Sequence, residues 1–248
     1  VVVTFYKKEW CWPLVRHGLE LNKDKIGRVF VMNDDVESPD IPPPTGVAME
    51  IHNVPEKRGW GAAERCNAGA ALVTTPYFLH IDGDMMLGNL SVARSLYLAE
   101  PELLLACQVH NTTKDAEIVP DAQGDRVRAT TIHPENRPGY WRKPLPLNLR
   151  HGHYLAHTES FRALGGHDLT PPWDTEYHSI DYCLAAGWLM KYGKESFEFG
   201  GGAAFHVGGI YEYKVDEAES PENKRRVREV INKYIAQFHE SDDGSYDS

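Results

Sequence analysis

The sequence predicts an α/β domain, a mostly parallel sheet flanked by helices with a smaller second part. Three observations carry this. Short β-branched or apolar runs recur at Val1 to Phe5, Arg28 to Met32 and Tyr77 to Ile81, each fit for a buried strand. The stretches between them space their apolar residues as helices do. Two of the runs end in acidic turns, Asn33-Asp34-Asp35 and Asp82-Gly83-Asp84. Alternation of this kind gives right-handed βαβ units, and ligands then bind beyond the carboxyl ends of the strands.

The elements follow in order. Val1 to Phe5 is the first strand, and a helix runs from the Tyr6-Lys7-Lys8-Glu9 turn to about Leu21. Gly27 precedes the second strand, Arg28 to Met32, and a proline-rich loop (Pro39, Pro42, Pro43, Pro44) leads to a third strand near Val47 to Ile51. A glycine-bearing basic loop from Asn53 to Gly61 opens a helix with Ala63, Cys66, Ala70 and Val73 on one stripe. After the strand that ends in Asp82, Asn89 or Ser91 is the candidate cap of a helix to about Ala99. Leu103 to Val109 reads as another strand, and residues 110–150 as a long irregular segment, functional or mobile, expected to form a flap.

Tyr154 to His157 is a candidate strand, Phe161 to Gly166 a short helix with a Gly-Gly stop, and Ile180 to Met190 a helix capped by Ser179. Pro221 opens an amphipathic helix with Val227, Val230, Ile231, Tyr234, Ile235 and Phe238 inward. The expected organisation is one domain over residues 1–240, with halves at 1–100 and 101–212 and a closing helix at 220–240. The acidic residues 241–248 are expected to be disordered.

A chain of 248 residues suffices for one full core. Its net charge of −10 argues against a broad basic surface for nucleic acid. Cys11, Cys66, Cys107 and Cys183 show no paired spacing and sit in apolar contexts. They read as buried free thiols, which favours a reducing, cytoplasmic compartment, although an upstream segment could have been removed before Val1. No run reaches transmembrane length.

Two carboxylates flanking one glycine at a strand's end suit a hard divalent cation, which takes oxygen ligands at about 2.0–2.2 Å and leaves positions for phosphate oxygens. An isolated Asp-Gly-Asp is more often a solvated turn, so the neighbouring motifs decide. The Thr4-Phe5-Tyr6 strand end, the Asn33-Asp34-Asp35 turn, Arg58-Gly59 with Arg65-Cys66-Asn67-Ala68-Gly69, and Asp82-Gly83-Asp84 stand in one order. A Gly-Gly turn follows at Gly165-Gly166. In that order the chain resembles the nucleotide-sugar-dependent glycosyltransferases of GT-A fold, family 2 in particular, over about residues 1–89 and again over 154–209.

The resemblance implies a Rossmann-like GT-A fold with an acceptor-side part, a nucleotide-sugar donor such as a UDP- or GDP-sugar, and an unidentified hydroxyl acceptor. It implies transfer of a hexosyl or N-acetylhexosaminyl group with Mn2+ (or Mg2+) as cofactor. Asp84 is the expected direct metal ligand, with Asp82 holding the ribose or ligating through water. His206, in Phe205-His206-Val207-Gly208-Gly209, is the expected further ligand; a lone histidine on an apolar strand is otherwise a core residue. Thr4, Phe5, Tyr6, Asp34, Asp35, Arg58, Arg65, Asn67, Asp82 and Gly83 form the expected nucleotide-sugar set. For Asp34 and Asp35 plain turn chemistry is an equal reading, for Arg65 a solvated helix face competes, and Asn67 can equally bridge backbone.

One departure stands out. Where family 2 carries Glu-Asp at a helix start, with the aspartate as general base, this chain reads His178-Ser179-Ile180-Asp181. Asp181 leads the candidates for base, with Glu176, Asp174 and Asp168 behind it, and His178 as an imidazole base. Retaining GT-A enzymes need no such base, so the stereochemistry stays open. Tyr140, Trp141, Trp173 and Trp188 are candidates for stacking on sugars, Trp188 more readily a core residue. The rival functions are a nucleotidyltransferase, whose glycine-rich loop after the first strand is missing here, and a non-catalytic sugar-nucleotide or glycan-binding module.

Overall fold

In the computed structural model, the described residues are 1–54, 62–111, 117–119, 126–128, 153–167 and 180–207. Their eight-stranded main sheet has the order β3-β2-β1-β4-β9-β6-β10-β5. The strands are β1 (Val2–Phe5), β2 (Arg28–Asn33), β3 (Ala48–Asn53), β4 (Tyr77–Asp82), β5 (Met85–Leu87), β6 (Leu104–Asn111), β9 (Tyr154–His157) and β10 (Phe197–His206). Strands β1 to β4 pair in parallel, as do β6 and β10. Antiparallel β9 joins the two groups, pairing with β4 on one side and β6 on the other. This is the mostly parallel, helix-flanked sheet the sequence predicts.

Period-two alternation sends successive residues of each central strand to opposite faces. Val3, Phe5, Val29, Val31, Leu79 and Ile81 enter one core with Trp12, Val15 and Leu19 of α1 (Trp12–Leu21) and Val92 of α3 (Ser91–Leu98). Val2, Phe30, Met32 and Phe78 enter the other, against α2 (Ala62–Leu72), α4 (Thr158–Leu164) and α5 (Ile180–Tyr192). Both faces of β1 are covered, which is why Val2 to Phe5 read as an unbroken buried run.

Several local expectations change. The residue before α3 is Leu90, in the left-handed region with φ 60° and no side-chain cap. Ser91 instead donates its hydroxyl to the Ala203 carbonyl, a tertiary contact that local sequence does not show. Within 110–150 two short strands, β7 (Glu117–Val119) and β8 (Arg126–Arg128), pair antiparallel. Gly165 ends α4 with φ 94°, the left-handed stop that favours glycine. Trp188 is fully buried and donates its indole N–H to Glu102 O at 2.7 Å, so it is a core residue. Cys11, Cys66 and Cys107 are buried free thiols. Tyr140, Trp141, Trp173, Ser179, the closing helix and the acidic tail lie outside the described residues, and so does the Cys183 side chain. No helix of the described residues is long and apolar enough to cross a membrane.

Candidate active site

The site is built where β2, β1 and β4 end side by side. Thr4 is in register with Asp82, and Phe5 with Asn33, so both acidic turns leave the sheet at the same edge. Gly83 N donates to Thr4 O at 2.7 Å and folds the turn back onto β1. A Cβ on Gly83 would lie 2.7 Å from the Phe5 ring and 3.1 Å from Thr4 O. Close packing against β1 therefore requires the central glycine.

The last strand completes the group. β10 pairs antiparallel with β5, His206 opposite Met85, and Val207 N donates to Asp84 O at 2.8 Å. These contacts bring His206 Nε2 to 3.4 Å from Asp84 Oδ2. On the same oxygen, at 2.9 Å, sits Lys8 Nζ, from the turn between β1 and α1. Asp82 is turned elsewhere: Thr4 Oγ1 donates to its Oδ1 at 2.6 Å, and His153 Nε2 lies 3.9 Å from its Oδ2. The Thr4 hydroxyl also stands 3.4 Å from His80 Nε2.

The two carboxylates differ accordingly. Burial and the neighbouring Asp84 charge push the Asp82 carboxyl up to about 6, against the Thr4 hydrogen bond. Burial acts on Asp84 in the same upward direction, but the hydrogen bond and charge of His206, with Lys8, outweigh it and hold Asp84 below the usual carboxylate range. Burial alone would depress His206; the bond to Asp84 and the charges of both aspartates raise it above the ordinary imidazole value.

A second buried charge pair lies at the end of β2. Arg65 Nη1 of α2 approaches Asp34 Oδ2 at 2.5 Å, with both side chains only 5% exposed. Asp34 N is fixed by Phe5 O at 2.9 Å. Asp34 Oδ1 and Arg65 Nε have no hydrogen-bond partner among the described residues. A buried acceptor and a buried donor left over within one ion pair suit a polar ligand edge. Arg65 is near enough that its charge lowers the Asp82 carboxyl.

The other expected site residues divide. Asp35 Oδ1 accepts from Val36 N at 2.7 Å, which is turn chemistry. Asn67 spends its amide on the residue after the Gly-Gly turn, donating to His167 O at 2.9 Å and accepting from His167 N at 2.8 Å. Phe5 is buried edge-on against Trp12, with centroids 5.9 Å apart, whereas Tyr6 is 39% exposed. Arg58, Asp168, Asp174, Glu176 and His178 lie outside the described residues; Asp181 lies in the first turn of α5, its side chain not described. Lys8 and His153 were not singled out from sequence. No local signal marks Lys8: only the parallel pairing of β1 with β4 in the structure places the turn after β1 beside Asp84.

Among the described residues, no three His, Cys, Asp or Glu side chains converge closely enough to hold a metal. Asp84 and His206 do meet, and a carboxylate with an imidazole suits a Mn2+-class ion whose remaining positions go to phosphate and water. The donor pair fits, while Asp82 is held by Thr4 and stands near His153.

No protein-family model matches the chain, and no curated protein matches it. Solved structures do. S. aureus TarS 1-349 superposes with TM-score 0.60 at 11% identity, over 94% of this chain and 64% of that one. The same protein in complex with UDP-GlcNAc gives 0.62, again at 11% identity, over 94% and 65%. The mannosyltransferase PcManGT from Pyrobaculum calidifontis, in complex with GDP-Man and Mn2+, gives 0.51 at 13% identity, over 86% of this chain and 57% of that one. The chain thus spans just under two thirds of TarS 1-349. At these identities the likeness is one of fold: this chain shares the GT-A-type architecture of those structures.

Proposed function

We propose that this chain is a metal-dependent glycosyltransferase that moves a sugar from a nucleotide diphosphate to a hydroxyl acceptor. The observation that carries the reading is the meeting of Asp84 with His206, beside the buried Asp34–Arg65 pair, at the carboxyl edge of the sheet. Asp84 and His206 would hold Mn2+ (or Mg2+), which stabilises charge on the departing diphosphate as a Lewis acid. Asp34 and Arg65 turn their unused acceptor and donor to the nucleoside. Thr4 fixes the orientation of Asp82, which is left to meet the ribose or a water. Asp181, His178 and Glu176 remain the candidates for the group that takes the acceptor's proton. Neighbours of the same fold in complex with UDP-GlcNAc and with GDP-Man support a nucleotide-sugar donor.

Calorimetry with UDP and GDP, each with and without Mn2+, tests the reading. Metal-dependent binding of one of them is expected. Binding of neither by the folded chain overturns it. Slow Mn2+-dependent hydrolysis of the matching sugar nucleotide then separates an enzyme from a binding module.

A further inference from the structure

Asp84 Oδ2 is the meeting point of two nitrogen groups, Lys8 Nζ at 2.9 Å and His206 Nε2 at 3.4 Å. The imidazole can stay when a divalent ion arrives, because it becomes a ligand by giving up a proton. The ammonium cannot. It has no lone pair to offer, and a metal at about 2.0–2.2 Å from Asp84 would confront a second cation on the same oxygen, in surroundings that screen charge poorly.

The chain gives Lys8 an anchored base and a movable head. Cys11 N and Cys11 Sγ both donate to Lys8 O, at 3.1 and 3.0 Å, and Cys11 Sγ also lies 3.3 Å from Gly83 O. The backbone of the turn after β1 is thereby tied to the Asp82-Gly83-Asp84 turn. The Lys8 side chain, 22% exposed against 5% for Asp84, has a flexible four-carbon stem. Its charge can leave Asp84 but not the neighbourhood.

We propose that Lys8 competes with the divalent cation for Asp84 and transfers its ammonium to the donor's diphosphate when the cation takes the carboxylate. The diphosphate is the anion that a cation on Asp84 brings within reach, and a lysine serves phosphate as a point charge. Lys8 therefore opposes metal binding to the nucleotide-free chain and favours binding of the nucleotide. Metal and nucleotide become coupled through one side chain, and the coupling is reciprocal. The inference rests on the reading of Asp84 as a cation ligand.

The test compares the full chain with its Lys8→Met and Lys8→Arg variants, their folds checked by circular dichroism and melting. Mn2+ is titrated calorimetrically without nucleotide, then UDP and GDP at saturating Mn2+. Lys8→Met is expected to bind Mn2+ about tenfold more tightly and the nucleotide about tenfold more weakly, a size ordinary for coupled sites. Lys8→Arg, which keeps the charge, should follow the native chain. A lysine with only a structural part would weaken both or neither, and either result overturns the inference. Equal Mn2+ affinity in native and Lys8→Met chains removes Lys8 alone from the account. No Mn2+ binding by any variant, with or without nucleotide, overturns the metal reading as well.

Discussion

The Thr4 hydroxyl donates to Asp82 Oδ1 at 2.6 Å, across two parallel strands that hold Thr4 and Asp82 in register. That bond keeps Asp82 on the β1 side of the turn, while Asp84, two residues on, faces Lys8 and His206. A pattern that looks symmetric in sequence thus has two carboxylates with different partners and different proton affinities.

Asp84→Ala is expected to abolish Mn2+-dependent UDP or GDP binding, and His206→Ala to weaken it by at least the roughly 10–100-fold that loss of an outer partner of a metal ligand costs. Calorimetric metal titrations check both. An unchanged Mn2+ titration in His206→Ala would return that residue to the core.

The Asp82 carboxyl is raised to about 6 in the folded chain, above its unfolded value of about 3.9. Between those values the folded state binds the additional proton, so this contribution to stability is present at low pH and lost as pH rises through about 6. Melting of the metal-free native chain should show that decline. In Asp82→Asn, which cannot titrate, it should flatten.

Arg65→Met leaves Asp34 buried without its cation and is expected to cost about 3–5 kcal/mol in denaturant unfolding. Combining it with Asp34→Leu should recover most of the loss, because two apolar groups replace two charges. The double variant should still bind no nucleotide. Recovered stability together with native affinity would exclude the pair from the nucleoside site.

Burial pushes the Cys11 and Cys107 thiols up to about 12. Since the thiolate is the reactive form, both should resist alkylation at neutral pH until the chain is unfolded. Mass spectrometry after timed labelling of native and denatured protein reads this directly.

Much of this was legible locally. Val2 to Phe5, Arg28 to Asn33 and Tyr77 to Asp82 are strands because their apolar runs must be buried on both faces, and the stripe from Ala63 to Ala70 is the inner side of α2. Gly165 ended a helix as its left-handed backbone requires. Lys8 was not legible, because its partner stands 76 positions away (84 − 8) and only strand order brings them together. The Asn67 amide was ambiguous for the same reason: its partner is the backbone of His167, 100 residues on. The short β7–β8 pair lacked the length that makes a strand visible in a polar segment.

The pairing of β5 with β10 also orders events during synthesis. Among the described residues β5 has β10 as its sole sheet neighbour, and the bond from Val207 to Asp84 joins residues 123 positions apart (207 − 84). Contacts over such separations form only after the intervening chain has been closed into a loop. A nascent chain that has made β1 to β4 can already present Asp34 and Arg65, but Asp84 waits for its histidine until β10 is docked. The Asp34–Arg65 pair is therefore built from early, sequence-near strands, and the Asp84–His206 pair is completed last.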